Sequence, residues 1–76
     1  MKDLVELIAK ALVDHPEQVH VEGFEDERTI TLELHVASED MGKVIGKQGR
    51  IAKAIRTVVN AAAANQKKRV LVEIVQ

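Results

Sequence analysis

Two glycines that stand three residues apart, Gly46 and Gly49, mark the place where this chain must change direction. An apolar segment with helical spacing precedes them, and a basic helical pattern follows them. Because glycine has no Cβ atom, the backbone can turn sharply there and a ligand can approach the main chain closely. A helix that begins directly after such a turn attracts anions through its free N–H groups. The stretch from Val44 to Ile51 is therefore the part of the sequence with the character of a site.

Hydrophobic periodicity predicts a helix followed by a hairpin in the first half of the chain. Residues 4–13 repeat apolar side chains at helical spacing, and Asp3 followed by Glu6 is typical of a capping box. Residues 18–24 and 28–36 alternate apolar and polar side chains, which predicts two antiparallel strands with one buried face. The acidic residues between these two strands are expected to form an exposed connection.

The second half predicts two helices and a last strand. Ser38 is expected to cap a short helix that ends at Gly46, and a longer helix is expected from Arg50 to Ala64. A polar link at residues 65–68 leads to a strand at residues 69–75. The apolar stripe of the longer helix is predicted to consist of Ile51, Ala54, Ile55, Val58 and Ala62.

The resulting order is helix, strand, strand, helix, helix, strand. No repeat, linker or low-complexity segment interrupts it, so residues 1–76 are expected to form a single α+β domain. Three helices packed on one face of a three-stranded sheet would make two layers around one core. The connection from the second strand to the third is long enough for a right-handed parallel crossover.

Charge is distributed unevenly along the chain, although the net charge is only −1. Residues 1–40 contain three basic and eleven acidic side chains, for a net charge of −8. Residues 41–76 contain eight basic side chains and one acidic one, for a net charge of +7. Because the sign changes next to the glycine turn, a polyanionic ligand is favoured over two solvated surfaces of opposite bias.

The glycine turn does not match the phosphate loop of nucleotide hydrolases. Gly42 and Gly46 enclose three residues rather than four, Lys47 is followed by Gln48 rather than a hydroxyl residue, and a helix rather than a strand leads in. The dinucleotide-binding fingerprint fails for the same reasons. Two interpretations remain: an elbow between two helices, and a clamp for the backbone of a nucleic acid.

The segment Gly42-Lys43-Val44-Ile45-Gly46-Lys47-Gln48-Gly49-Arg50-Ile51-Ala52-Lys53-Ala54-Ile55-Arg56 resembles the core signature of KH domains. The order of elements resembles their type II arrangement, and the resemblance covers essentially the whole chain. It implies a small stand-alone bacterial protein that binds single-stranded RNA, as a post-transcriptional regulator or RNA chaperone. It also implies pairing with itself or with a second KH-containing protein. The alternative is a KH scaffold that serves only as a protein-interaction module.

The expected RNA site is centred on the turn. Backbone N–H groups would face the phosphates, Lys47 would add a mobile charge, and Arg50 would offer a fork to phosphate oxygens. An apolar floor for unstacked bases is expected from Val44, Ile45 and Ile51. The orientation of Lys53 and of Arg56 is left open by the sequence. The predicted site residues are Gly46, Lys47, Gln48, Gly49, Arg50, Lys43, Val44, Ile45, Ile51 and Lys53.

Phe24 is the only aromatic residue, so stacking of bases on aromatic side chains is not expected. Affinity should come from phosphate contacts and a shallow apolar groove, and should be weak and strongly dependent on salt. Useful affinity then needs two copies or a second RNA-binding partner. Ala61 to Ala64, together with Val59, are candidates for a contact between subunits, although a run of alanines also simply favours helix.

No enzyme, cofactor, metal site or small-molecule substrate is predicted. The chain has one serine, no cysteine and no visible pair of nucleophile and base. His15, His20 and His35 match no established metal spacing and are interpreted as surface histidines. No signal peptide or segment of about 20 apolar residues is visible, so a cytoplasmic protein without membrane contact is expected.

Overall fold

The computed structural model describes residues 1–64 and 66–75, except for the side chain of Lys47. The predicted polar link at residues 65–68 thus lies partly outside the described residues, because Asn65 does. The described elements follow one another as helix α1 (Lys2–Leu12), a 3-10 turn (Pro16–Gln18), strand β1 (His20–Glu25), strand β2 (Thr29–His35), helix α2 (Ser38–Ala62) and strand β3 (Arg69–Val75).

The sheet has the strand order β1-β2-β3, with β1 and β2 antiparallel and β2 and β3 parallel. The predicted hairpin and the predicted parallel pairing are both confirmed. The connection between β1 and β2 is a tight turn, in which the Asp26 carboxylate accepts hydrogen bonds from the backbone N–H groups of Arg28 at 2.8 Å and of Thr29 at 2.6 Å. Glu25, which was expected in this connection, belongs instead to β1 and pairs with Lys68.

One face of the sheet is apolar, and both helices pack against it. Residues directly opposite each other on paired strands project to the same face, so Leu32 shares its face with Val72. The core of this layer is contributed by α1 (Val5, Ala9), the sheet (Val21, Leu32, Leu34) and α2 (Val44, Ala52, Ile55, Val59). The predicted α+β architecture, with helices on one face of a three-stranded sheet, is confirmed. The described helices do not cover the other face of the sheet, which is mostly polar.

A left-handed break divides α2 into two helical arms. The helical hydrogen-bond pattern extends from Ser38 to Ala62, but Gln48 has a φ of 63° and Gly49 a φ of 72°. A right-handed helix needs negative φ values, so residues 38–47 and 50–62 form separate arms. This confirms the order helix, strand, strand, helix, helix, strand. The first arm was predicted to end at Gly46 but continues to residue 47, so the connection is one residue shorter than predicted.

Both predicted helix caps are wrong. Met1 precedes α1 without a side-chain cap, and Glu6 pairs with Lys10 at 2.8 Å instead of bonding back to the start of the helix. Ala37 occupies the cap position of α2, and the Ser38 hydroxyl donates to Glu39 at 3.1 Å. In both cases the chain enters the helix one or more residues earlier than the capping pattern indicates, because packing rather than the cap fixes the first turn.

The buried side of the second arm differs from the predicted stripe. Ala52, Ile55 and Val59 are buried, whereas Ala54 and Ala62 are exposed and Val58 is 38% exposed. Only Ile55 and the partly buried Ile51 were placed correctly. This arm is apolar on more than one side, so its composition permits several stripes, and the turn at residues 48–49 decides which one faces the sheet.

Asp40 fixes the start of α2 against the end of α1. Its side chain is 1% exposed, and its two carboxylate oxygens accept the backbone N–H groups of Asp14 at 3.1 Å and of His15 at 2.9 Å. The sequence predicts only a favourable charge in the first turn for this residue.

No helix within the described residues combines the length and the apolar character needed to cross a membrane.

Candidate nucleic-acid interface

The two left-handed residues between the arms of α2 form the predicted turn. Gln48 is the only described residue other than glycine with a positive φ. At Gly49 the same backbone region would strain a side chain, so glycine is required for its conformation. Apart from its chain neighbours and the adjacent helix backbone, a Cβ atom built on Gly42, Gly46 or Gly49 would meet no atom within 4 Å. These three glycines therefore do not make room for packing inside the domain; they leave main chain open towards the outside.

A small cavity of about 190 Å³ lies beside this turn. Its lining consists of Gly42, Lys43, Gly46, Arg50 and Ile51, which come from both arms of α2. Four of these were predicted as site residues, so the fold brings them together across the turn. Gly42 was not predicted, although its position one helical turn before Gly46 places both glycines on one face of the first arm.

The predicted apolar floor is partly wrong. Val44 is fully buried in the core between α2 and the sheet, so it is not accessible to a ligand. Ile45 is 52% exposed, and Ile51 is partly buried beside the cavity. Neighbouring helical residues differ in direction by about 100°, so Val44 and Ile45 cannot both face the same side. The accessible apolar surface is reduced to Ile45 and Ile51.

The predicted cationic side chains differ in their surroundings. Arg50 and Lys53 are exposed, and neither has a carboxylate partner within residues 1–64 and 66–75. Lys43 is 46% exposed and forms an ion pair with Asp14 at 3.1 Å, so an anion would have to compete with that carboxylate. The side chain of Lys47 lies outside the described part of the structure, and its contact stays a prediction.

A second, larger cavity of about 470 Å³ lies between the second arm of α2 and β3. Arg56, Asn60 and Ala63 line it from the helix, at the spacing of one helical face, and Lys68 and Arg69 line it from the start of β3. The sequence leaves the direction of Arg56 open; the structure turns it towards β3. Asn60 and Arg69 were not predicted as site residues. The basic run at residues 67–69 was a signal for Arg69, whereas the sequence has none for Asn60.

Comparisons with known proteins agree with this architecture. The KhpA/KhpB KH-domain model matches residues 2–74. The chain is 68% identical to the RNA-binding protein KhpA of Clostridium perfringens over 75 residues, which cover 99% of this chain and 100% of that protein. It is 65% identical to the protein of the same name from Clostridium acetobutylicum, with the same coverage. For that of Aquifex aeolicus the identity is 50% over 76 residues, 100% of this chain and 96% of that protein.

A comparison with solved structures finds no significant match. The family assignment instead rests on the sequence matches, which extend over nearly the full length of both partners. They agree with the type II order of helices and strands and with the glycine turn inside α2. This chain belongs to the KhpA/KhpB KH-domain family.

Proposed function

We propose that this protein binds single-stranded RNA and holds the sugar-phosphate backbone of the RNA against the turn at Gln48 and Gly49. The observation that carries the proposal is the left-handed turn, flanked by glycines whose missing Cβ atoms point into open space. Phosphate can approach main chain of this kind more closely than it can approach a surface covered by side chains. The relatives at 50–68% identity are named RNA-binding proteins, which supports the same ligand.

In the proposed complex, charge and apolar contact come from different sides of the turn. Arg50 offers a bidentate fork to a phosphate, and Lys47 adds a second positive charge. Ile45 and Ile51 provide a small apolar surface for an unstacked base. Beyond the turn, the RNA would reach the cavity beside β3, where Arg56 and Arg69 are available to bind a further phosphate. Phe24 is on β1, away from α2, and takes no part.

Few phosphate contacts give modest affinity with a measurable salt dependence. For single-stranded nucleic acid, the logarithm of the binding constant falls with the logarithm of salt concentration by about 0.7 per neutralised phosphate. Three contacts, through Lys47, Arg50 and Arg56, would therefore give a slope of roughly −2. A weak site of this kind gains affinity when two copies act on one RNA. We infer that the protein acts in the cytoplasm as a post-transcriptional regulator or RNA chaperone.

The test replaces the charge of the turn and compares it with a matched change elsewhere. The double variant Lys47→Asp with Gln48→Asp places two negative charges at the turn, and aspartate tolerates the left-handed backbone of residue 48. The control, Lys2→Asp with Gln18→Asp, exchanges the same residue types at two exposed positions outside α2. Both variants change the net charge by the same amount.

Binding is measured by gel shift with a fluorescent single-stranded RNA at one fixed, low salt concentration. The turn variant is expected to bind at least about tenfold more weakly, because phosphate is repelled where it was attracted. The control is expected to stay within about twofold, since it removes only long-range charge. Equal affinity of the two double variants would show that the turn does not hold the RNA.

A second candidate, assembly with another KH-containing chain, is favoured by the exposed side of α2. Ala54, Val58, Ala61 and Ala62 lie on one face of the second arm and are all exposed, whereas Val59, once a candidate for this contact, is fully buried. We propose that this face, continued by Ala64, contacts a second copy or a second KH-containing protein, whereas Ala63 lies with Asn60 at the cavity beside β3. Small side chains allow two helices to approach closely.

The assembly candidate is tested by molar mass. Ala62→Glu places a charge in the proposed contact, and Asn60→Glu places the same charge about 200° around the helix, on the opposite side. Light scattering should show a lower mass for Ala62→Glu and the parent mass for Asn60→Glu. An unchanged mass for Ala62→Glu would exclude this face as the interface.

A further inference from the structure

Two histidines and two glutamates form a ladder on the open face of the sheet. The antiparallel register pairs His20 with His35 and Glu22 with Glu33. Since directly opposite residues project to the same face, and since Leu32 and Leu34 project towards the helices, all four side chains project away from the core. The sequence has His-x-Glu on β1 and Glu-x-His on β2. The hairpin therefore places each histidine opposite a histidine and each glutamate opposite a glutamate.

The polar atoms of this cluster are close together. His20 Nε2 lies 3.1 Å from Glu22 Oε1, and His35 Nε2 lies 3.9 Å from Glu33 Oε1. The two imidazole centroids are 5.7 Å apart. One potential ligand atom from each of Glu22, Glu33 and His35 lies within 4.8 Å of the others. Three donor atoms therefore lie close together above two adjacent strands, and His20 stands beside them through its contact with Glu22.

One of these donors has an unusual environment. His35 Nε2 is shielded from solvent and, within the described residues, has no hydrogen-bond partner, although the ring as a whole is partly exposed. A polar atom that is shielded in this way forfeits its hydrogen bonds to water, which is unfavourable unless another group or an ion replaces them. An imidazole is a common metal ligand, and here it lies within 4.8 Å of two carboxylates.

The charges around the cluster also favour a cation. The register places Glu22, Glu33 and Glu73 side by side across the three strands, and like charges at directly opposite positions destabilise a sheet. The cationic residue on the same face of β3 is Arg69, four residues from Glu73, or about 13 Å along the strand. Among the residues that the structure describes, no Lys or Arg therefore stands beside this row of carboxylates on the open face.

We propose that His20, Glu22, Glu33 and His35 bind one divalent first-row transition metal ion, of which Zn²⁺ is the natural probe. Two imidazole nitrogens and two carboxylate oxygens are a ligand set that Zn²⁺ accepts in tetrahedral geometry. Bond lengths of about 2.1 Å place neighbouring ligands roughly 3.4 Å apart, so the donors of Glu22, Glu33 and His35 have to close by at most about 1.4 Å. Rotation of the exposed Glu22 and His20 side chains and of the partly exposed Glu33 side chain would supply that movement and bring in the fourth ligand.

This proposal replaces the interpretation of the histidines as isolated surface residues. That interpretation allowed His20 and His35 to lie on paired strands but found no cysteine and no established ligand spacing; it did not consider Glu22 and Glu33, which the register places beside them. The proposed metal site is on the opposite side of the sheet from α2, so it does not depend on the proposed RNA clamp.

The test uses untagged, metal-free protein, because a histidine tag would itself bind the probe. Titration with ZnCl₂ by isothermal calorimetry is expected to show one Zn²⁺ per chain, and thermal unfolding is expected to move to higher temperature with excess Zn²⁺. His35→Asn should weaken binding by at least about tenfold, since even residues that only support a ligand matter by 10–100-fold. His15→Asn removes a partly exposed histidine that lies near Glu39 and Glu17, outside the cluster, and should leave binding unchanged.

Co²⁺ provides a readout that does not need a variant. In the parent protein, binding of Co²⁺ should produce visible absorption bands and should shift the NMR signals of the His20 and His35 rings but not that of His15. Binding at a ratio other than one ion per chain would overturn the proposal, and so would equal loss of affinity in the His15 and His35 variants. If His35→Asn does not fold, the ring signals decide the question alone.

Discussion

Removal of the Asp40 carboxylate is expected to be the most destabilising single change outside the apolar core. In Asp40→Ala, the backbone N–H groups of Asp14 and His15 lose acceptors at 3.1 and 2.9 Å. A hydrogen bond to a charged group contributes roughly 1.5–3 kcal/mol, so the two bonds together contribute about 3–6 kcal/mol. The turn at Asp14 and His15 is only partly buried, so water can replace part of the lost hydrogen bonding. The free energy of unfolding is therefore expected to fall by about 2–4 kcal/mol.

Such a loss is a large share of the stability of a domain of this size. At about 0.05–0.15 kcal/mol per residue, 76 residues give a free energy of unfolding of roughly 4–11 kcal/mol. Asp40→Asn keeps one acceptor oxygen and should lose about half as much as Asp40→Ala. Because Asp40 ties the end of α1 to the start of α2, its loss should also loosen the helix that carries the candidate RNA site.

The assay is urea unfolding followed by circular dichroism, with Glu39→Ala as the matched control. Glu39 is the preceding acidic residue in the same helical turn, but it is exposed, so its removal should lower stability by at most about 1 kcal/mol through the helix dipole. The reasoning fails if Asp40→Ala and Glu39→Ala unfold at the same urea concentration with the same slope.

Four further substitutions have definite expected outcomes. Gly49→Ala should lower the free energy of unfolding by about 1–2 kcal/mol in urea melts, because its φ of 72° strains a side chain although space is available. Two backbone N–H groups hold the pKa of Asp26 below its usual value of 3.8, so its contribution to stability is present above that pH and is lost as pH falls through the lower folded pKa. The stability difference between the parent and Asp26→Ala should therefore shrink in acid, and a constant difference would contradict this assignment. Val44→Ala should lower the free energy of unfolding but leave the RNA affinity of the folded protein unchanged, because Val44 is buried. Ile45→Ala should leave the free energy of unfolding nearly unchanged but lower the RNA affinity, because Ile45 is exposed. Urea melts and gel shifts of both variants check this.

The strands and the position of the turn are accessible from local pattern alone. Leu32 and Leu34 alternate with polar residues, and a strand with one buried face has no other way to satisfy that alternation. The Gly46 to Gly49 segment separates two amphipathic stretches, and the left-handed break lies inside it. Both features depend on residues that are neighbours in the sequence, so their prediction required no knowledge of packing.

The features that the sequence could not predict depend on contacts between distant parts of the chain. Asp40 bonds to residues 25 and 26 positions away, and nothing near it in the sequence indicates those partners. The phase of the second arm of α2 is set by the turn before it, which is why Val59 rather than Val58 is buried. Likewise, His20 and His35 become neighbours only through the register of the hairpin.

The proposal that RNA is held at the turn is tested most directly by amide NMR of the ¹⁵N-labelled protein during titration with single-stranded RNA. The largest shift changes are expected at Gly46, Gln48, Gly49 and Arg50, with smaller changes at Ile45 and along the cavity beside β3. These changes should decrease as salt is added, because they report phosphate contacts. Shift changes confined to the open face of the sheet, or a turn that stays unperturbed at saturating RNA, would contradict the clamp.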